Sequence, residues 1–434
     1  MLAAACSVAL LAASSAHAAP RLYLGFLDDT SFRWDADRAE AFDTAKAADA
    51  SVIRTIVRWN DVAPTRPAHA ADPWDPAYRF DDLDEFMRSA QQRGIEALLT
   101  VWGTPAWANG GAAPNVPPGD ARDFRDFVRA VASRYSGVYP GFPFARFFSI
   151  WNEPNSERFL ASDDPPAAYA ALAKAGVAGV RAGSPQALVA IGETAARHQP
   201  AAFMTAVARL EPTLDFDAWS HHPYPPTAAG SPDSAAAWPN VGLRELGRFG
   251  REVDRAFGRA SVPLWVTEYG ESTTAVPAAR QAADLARAVQ LACRLTKVEM
   301  LVWLMLRDHR GEPWQSGLVG KPSFHVFRTA AGSLDPRNAR VEVDADAATH
   351  LLRVPALELR WHNPASARVG VRYTLRAGGR RILAATAAAP IGRDGWVPVA
   401  LRFRPRFGET YALTVNIEDV HGFAVRRTLE LVAG

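Results

Sequence analysis

Between Arg21 and about Gly332, eight short apolar runs alternate with amphipathic stretches, and this rhythm limits the folds open to the chain more than any other feature. The runs are Leu22–Phe26, Ser51–Val57, Ile95–Val101, Arg146–Ile150, Leu188–Ile191, Phe216–Ser220, Pro263–Thr267 and Val298–Leu304. They are rich in Val, Ile, Leu, Phe and Trp and mostly lack polar alternation. That pattern suits parallel strands buried on both faces. Between them, apolar residues recur at helical spacing. Leu83, Phe86, Met87 and Ala90 form one such stripe, with Gly94 as its C-terminal stop. Phe124, Phe127, Val128 and Val131 form another, with Asp120 as N-cap, and Ala167–Ala182 and Ala278–Thr296 are Ala-rich and equally periodic. Eight strand–helix units predict an α/β fold, a (β/α)8 barrel of the TIM type. The eighth helix is expected to begin only near Lys321, after a loop carrying Trp314. Two Pro-rich loops, Asp61–Pro76 and Asn109–Pro118, follow strands and so belong to the C-terminal face, where loops shape active sites.

The texture changes after Asp335. Strict alternation appears in Leu357–Trp361, Val369–Leu375, Val397–Phe403, Tyr411–Ile417 and Ala424–Leu431. Turn signals at Gly378-Gly379, Arg393-Asp394-Gly395 and Asp419–Gly422 separate these segments. They predict a small C-terminal β-sandwich, Ig-like in layout, packed on the barrel without a flexible linker. At the other end, apolar Val8–Ala13 is followed by Ala16-His17-Ala18, with small residues where a signal peptidase reads. The expected organisation is an export signal over residues 1–18, a barrel over 19–334 and a sandwich over 335–434. A basic n-region is missing, and a short apolar helix packed on the barrel is the competing reading of the first segment. Export implies a secreted or cell-surface protein.

A hydrophobic share of 48% and a charged share of 22% are those of a folded chain. A net charge of +2 gives no long-range pull toward nucleic acid or an anionic membrane. No apolar run is long enough to span a bilayer. The only cysteines are Cys6 and Cys293, and Cys293 sits in a helical pattern as a buried thiol. The expected state is a monomer.

Two strands end in a glutamate. Phe147–Ile150 runs straight into Trp151-Asn152-Glu153-Pro154, and Leu264–Thr267 delivers Glu268 to the same face. By count these are the fourth and seventh strands, nearly opposite across the mouth of an eight-stranded barrel. Two carboxylates facing each other over a cleft are the minimum equipment for cleaving a glycosidic bond: one protonates the leaving oxygen, the other attacks the anomeric carbon. Partial desolvation at the mouth is expected to raise the pKa of Glu153. Glu193, after the fifth strand, fits either a surface carboxylate or a substrate contact. Asp28 and Asp29, after the first, fit either sugar contacts or loop anchors. Trp59, Trp102, Trp107, Trp303 and Trp314 fall at or beyond strand ends, where flat aromatic faces can stack on sugar rings. His221 and His222 are adjacent, so they point to opposite sides of a strand and cannot chelate one ion together. No metal and no cofactor are expected.

Trp151-Asn-Glu-Pro-Asn155 with Thr267-Glu-Tyr269 downstream resembles clan A of the glycoside hydrolases, closest to family 5, the cellulase family, and family 39. The resemblance covers about residues 21–330. It implies retention of configuration, with Glu153 as general acid/base and Glu268 as nucleophile. It further implies that Asn152 contacts the sugar 2-hydroxyl and that Arg54 lies near the nucleophile. His222-Pro-Tyr224 matches a motif whose Tyr faces the nucleophile, and Trp303 an aromatic that floors the sugar site. The substrate implied is a β-linked glycoside or polysaccharide. A transglycosylase shares every residue named, and a non-catalytic carbohydrate-binding protein shares the scaffold.

Overall fold

A computed structural model describes residues 22–334 and, beyond them, 341–343, 357–360, 368–390, 396–399, 409–419 and 424–432. The expected export signal lies outside the described residues. Eight parallel strands close into a barrel in sequence order: β1 (Tyr23–Leu27), β2 (Val52–Arg58), β3 (Glu96–Trp102), β4 (Phe147–Ile150), β5 (Leu188–Ala195), β6 (Ala218–His222), β7 (Leu264–Tyr269) and β8 (Val298–Leu304). All eight apolar runs between Arg21 and Gly332 became strands. Parallel barrel strands are covered on both faces, by the interior and by the helices, so such runs have no polar face to show.

The surrounding helices are α1 (Arg38–Ala47), a single turn α2 (Trp59–Val62), α3 (Asp81–Gln92), α4 (Ala121–Arg134), α5 (Pro165–Gly183), α6 (Pro200–Leu210), α7 (Leu246–Ala256), α8 (Ala278–Cys293) and α9 (Pro322–Leu334). Asp120 caps α4 by accepting from the Arg122 amide, and Gly94 takes φ +65° just past α3. Helix α9 begins at Pro322, one residue past the expected start. Helices α4 and α5 approach closely enough that a Cβ at Gly179 would lie 2.6 Å from the Arg125 carbonyl oxygen. This contact explains glycine inside a helix whose propensity it weakens.

Alternate residues of each strand face inward. Tyr23, Val52, Leu98, Phe147, Ala218, Trp265, Met300 and Val302 form one buried cluster. Phe147 meets Tyr23 at 5.0 Å and Trp265 at 5.2 Å between ring centroids, edge to face. Their strands are not neighbours, so these rings meet across the barrel axis. The outward residues join a larger cluster with the helices.

Beyond the barrel, β9 (Val341–Val343), β10 (Leu357–Arg360), β11 (Arg368–Ala377), β12 (Arg380–Pro390), β13 (Trp396–Val399), β14 (Thr410–Asp419) and β15 (Ala424–Val432) form two antiparallel sheets, ordered β13-β10-β9 and β12-β11-β14-β15. Val371, Tyr373 and Leu375 of β11 and Tyr411, Leu413 and Val415 of β14 are buried while their neighbours are not. That alternation is the one expected of a sandwich sheet with one covered face. No helix among the described residues is long and apolar enough to cross a membrane.

Candidate active site

The centre of the site is Arg54, an inward residue of β2 with no solvent exposure. Its guanidinium reaches four strands. Nε donates to the Thr100 hydroxyl on β3 (2.9 Å) and Nη1 to the Glu268 carboxylate at the end of β7 (2.9 Å). Nη2 donates to Asn152 Oδ1 after β4 (2.8 Å) and to Glu193 Oε2 on β5 (2.8 Å). A rigid planar fork suits this task better than an ammonium would.

Local backbone irregularities aim the carboxylates. In β5 the register slips between Ile191 and Thr194, where Gly192 (φ +110°) and Glu193 (φ +46°) leave the extended region. A Cβ at residue 192 would lie 2.6 Å from the Ser220 carbonyl oxygen, so only glycine fits there. The bulge turns Glu193 inward. In β7 the register slips between Val266 and Tyr269, and both Thr267 and Glu268 contact Arg54. Trp151 (φ +69°) and Glu153 (φ +41°) occupy the left-handed region as the chain leaves β4, and the Glu153 amide donates to the Glu193 carbonyl (2.9 Å). Such backbone is costly for bulky residues and persists where the surroundings impose it.

Glu193 has no exposed surface. Besides Arg54 it accepts from the Thr267 hydroxyl (3.0 Å) and the Ser149 hydroxyl, and it meets His222 Nε2 at 2.7 Å. Burial opposes its charge, but Arg54 and His222 prevail and hold its carboxyl down at about 2. It is neither a surface carboxylate nor a substrate contact. It is an anionic hub that joins the two strand-end glutamates, through Arg54 to Glu268 and through His222 to Glu153.

His222 Nδ1 lies 3.0 Å from Glu153 Oε1. Burial disfavours a charged imidazole, yet the carboxylates of Glu268, Glu153 and Glu193 raise it from 6.5 to about 9. The consequence for Glu153 reverses the expectation from its position. Burial does push that carboxyl up, but the hydrogen bond and charge of His222, with Arg54 behind, outweigh it and leave it below the ordinary value. The strand-end argument considered desolvation alone and lacked the cationic neighbour. Tyr224 donates its hydroxyl to Glu268 Oε1 (3.0 Å), and burial followed by the charge of Glu268 keeps that phenol neutral.

A carboxylate oxygen of Glu153, one of Glu268 and a ring nitrogen of His222 all lie within 4.8 Å of one another. Three such groups can hold a metal ion in principle. Here both nitrogens of His222 already face carboxylates, so a metal would have to displace one of them.

The tryptophans separate. Trp303 faces away from the mouth. On β8 the inward residues are Met300, Val302 and Leu304, and Trp303 between them joins the outer core, fully buried, with Nε1 donating to the Ser316 carbonyl (2.8 Å). It cannot floor a sugar site. Trp59 is likewise core, stacked on Phe127. Trp102 and Trp107 are half-buried, and their indole N–H groups donate to the Phe159 and Ala63 carbonyls. The Arg66 guanidinium covers the Trp107 ring at 4.4 Å. Trp314 does stand at the mouth, 6.0 Å edge to face from Tyr224, and lines a cavity with Glu153 and Leu304. Asp28 is a loop anchor: it accepts from the Ser31, Leu306 and Arg307 amides and meets His309 Nε2 at 2.7 Å. Asp29 accepts from the Thr55 hydroxyl and the Ile56 amide. His221 faces outward between Thr194 and the Val241 carbonyl, where burial lowers it to about 4.

Residues 24–306 match the model of the cellulase family, glycosyl hydrolase family 5. The chain belongs to that family. Compared with curated proteins, the sequence matches none. Among solved structures, a family 39 glycoside hydrolase from the gut symbiont Bacteroides cellulosilyticus WH2 is similar, with a TM-score of 0.57 and 19% identity over 90% of this chain and 80% of that one. A monomeric beta-xylosidase from Caulobacter crescentus CB15 is similar with a TM-score of 0.54 and 15% identity over 93% and 98%. A family 5, subfamily 18 structure from Streptomyces cattleya in complex with GlcNAc is similar with a TM-score of 0.54 and 15% identity over 73% and 81%. At these identities the likeness is one of fold. Family 5 membership makes the protein a glycosidase of clan A, with a carbohydrate as substrate.

Proposed function

We propose that this family 5 protein is an exported, retaining β-glycosidase in which Glu268 is the nucleophile and Glu153 the general acid/base. The observation that carries this reading is the spacing of the two carboxylates, with oxygens within 4.8 Å. Retaining enzymes place the pair about 5–5.5 Å apart, and inverting enzymes leave about 6.5–9.5 Å for a water.

The partners of the two carboxylates divide the work. Glu268 is held by Arg54 and Tyr224, which stabilise its negative charge and aim one oxygen each way. Glu153 and His222 share one proton, resting on Nδ1 and passing to Oε1 when a substrate excludes water. In the first step the glycosidic C1–O bond breaks, the leaving oxygen takes that proton, and Glu268 forms an ester bond to C1. Esterification removes the charge of Glu268, one of the charges that raise His222. In the second step Glu153 takes a proton from water, whose oxygen attacks C1 and releases Glu268. Asn152, its Oδ1 fixed by Arg54, presents its amide N–H2 to the sugar 2-hydroxyl. Trp314 stands beside the acid/base residue, on the leaving-group side of the pair.

Glu268→Gln and Glu153→Gln, assayed on a panel of aryl β-glycosides, test the assignment. Glu268→Gln should lose activity by about a thousandfold or more, equivalent to about 4 kcal/mol in the barrier. Glu153→Gln should keep turnover on substrates with good leaving groups, and azide should accelerate it. Wild-type rates in either variant would refute the roles.

A further inference from the structure

The cavity beside the acid/base residue has a chemistry of its own. It is an open cavity of about 360 Å³ at the ends of β4, β5, β6 and β8, and Glu153 lines it while Glu268 does not. A glycosidic oxygen must touch the acid, and the anomeric carbon must face the nucleophile. Space that the acid reaches and the nucleophile does not therefore receives the leaving group rather than the sugar that is retained.

Its wall is made of Ala195, Ala196, Pro225, Ala228, Leu304 and Trp314. Only some of the polar side chains present are committed elsewhere. Glu153 meets His222, Tyr224 donates to Glu268, and the Arg197 guanidinium donates to the Pro226 carbonyl (2.5 Å). Thr227, His198 and the further donors of Arg197 remain, all exposed at the rim. A second sugar ring would bury several hydroxyls against methyl groups, and each unpaired one costs about 1–3 kcal/mol. An alkyl or aryl group would gain from the same wall about 0.8 kcal/mol per buried CH2.

Resting on the glycosidase reading above, we propose that this cavity selects an apolar, non-sugar aglycone, so that the preferred substrates are alkyl or aryl glycosides rather than oligosaccharides. The wild-type enzyme is assayed on methyl, propyl and hexyl β-glycosides of the sugar that the aryl panel identifies, together with the matching disaccharide. Alkyl leaving groups of similar basicity remove leaving-group ability as a variable. The expected result is a rise in kcat/KM of about fourfold per added CH2 until the cavity is filled, with the disaccharide below the hexyl glycoside. In Ala228→Asp, a substitution at an exposed lining position, the rise with chain length should flatten relative to the wild type. A flat response to chain length in the wild type, or a disaccharide faster than the hexyl glycoside, overturns the proposal and leaves the glycosidase reading intact. Hydrolysis of none of these compounds, nor of any aryl glycoside, overturns both.

Discussion

The two halves of the barrel interior are built on opposite principles. Toward the N-terminal ends of the strands, Tyr23, Val52, Phe147, Trp265 and Met300 fill the axis with rings and aliphatic chains that need no partner. Toward the C-terminal ends, Arg54, Thr100, Ser149, Glu193, His222 and Thr267 fill the same axis with polar groups that all need one. The lower half tolerates any well-packed apolar set. The upper half tolerates no missing member, because each charge is compensated only by its neighbours. The fold rests on the first half, and the difference between Glu153 and Glu268 rests on the second.

Arg54→Met should break the comparison most severely. It leaves Glu193 buried without its main counter-charge, a loss on the order of 3–5 kcal/mol, and removes one of the two donors to Glu268. Denaturant melts together with kcat/KM should show both losses at once. In the lower half, Trp265→Ala should cost a similar ~3–5 kcal/mol through the cavity it opens. The pH profile of the enzyme that remains folded should not move. A shifted profile in Trp265→Ala would mean that the halves are not independent.

Glu193→Gln sharpens the contrast at smaller cost, because shape is kept and one charge is lost. His222, now held at about 9, loses one of three anionic neighbours. The alkaline limb of kcat/KM should move down by about one unit or more, a readout that mere loosening of the structure would not give. The sign for stability follows from the same shift. His222 is raised in the folded state, so its contribution is full below about 6.5 and is lost as pH rises through about 9. Melting temperature against pH should show that loss in the wild type and a weaker one in Glu193→Gln.

The smallest effects separate the two tryptophans at the end of the barrel. Trp314→Ala should raise KM about tenfold, the worth of one stacking contact of ~1–1.5 kcal/mol. Trp303→Phe should change KM by less than about twofold, its cost falling on stability instead. The reverse order would restore Trp303 to the sugar site.

Much of this architecture was legible in the chain. The eight strands were, because burial on both faces leaves apolar runs, and the positions of Glu153 and Glu268 followed from where two runs stop. Arg54 and Tyr224 meet Glu268 as the family resemblance implied. Three features were not legible. The side to which Trp303 points depends on the inward set Met300, Val302 and Leu304, and a uniformly apolar run does not reveal which alternate set faces the axis. The inward turn of Glu193 depends on a bulge at Gly192, and Ile-Gly-Glu looks the same with or without one. The lowered carboxyl of Glu153 depends on His222, which lies 69 residues away in sequence.

The central claim is that Glu268 carries the sugar between the two steps. Incubation with the 2-deoxy-2-fluoro glycosyl fluoride of the preferred sugar, followed by peptide mass mapping, tests it directly. Slow turnover of the fluorosugar ester should leave one sugar per chain, attached to Glu268. A label on any other residue, or an unlabelled enzyme that releases product of inverted configuration, would contradict the account.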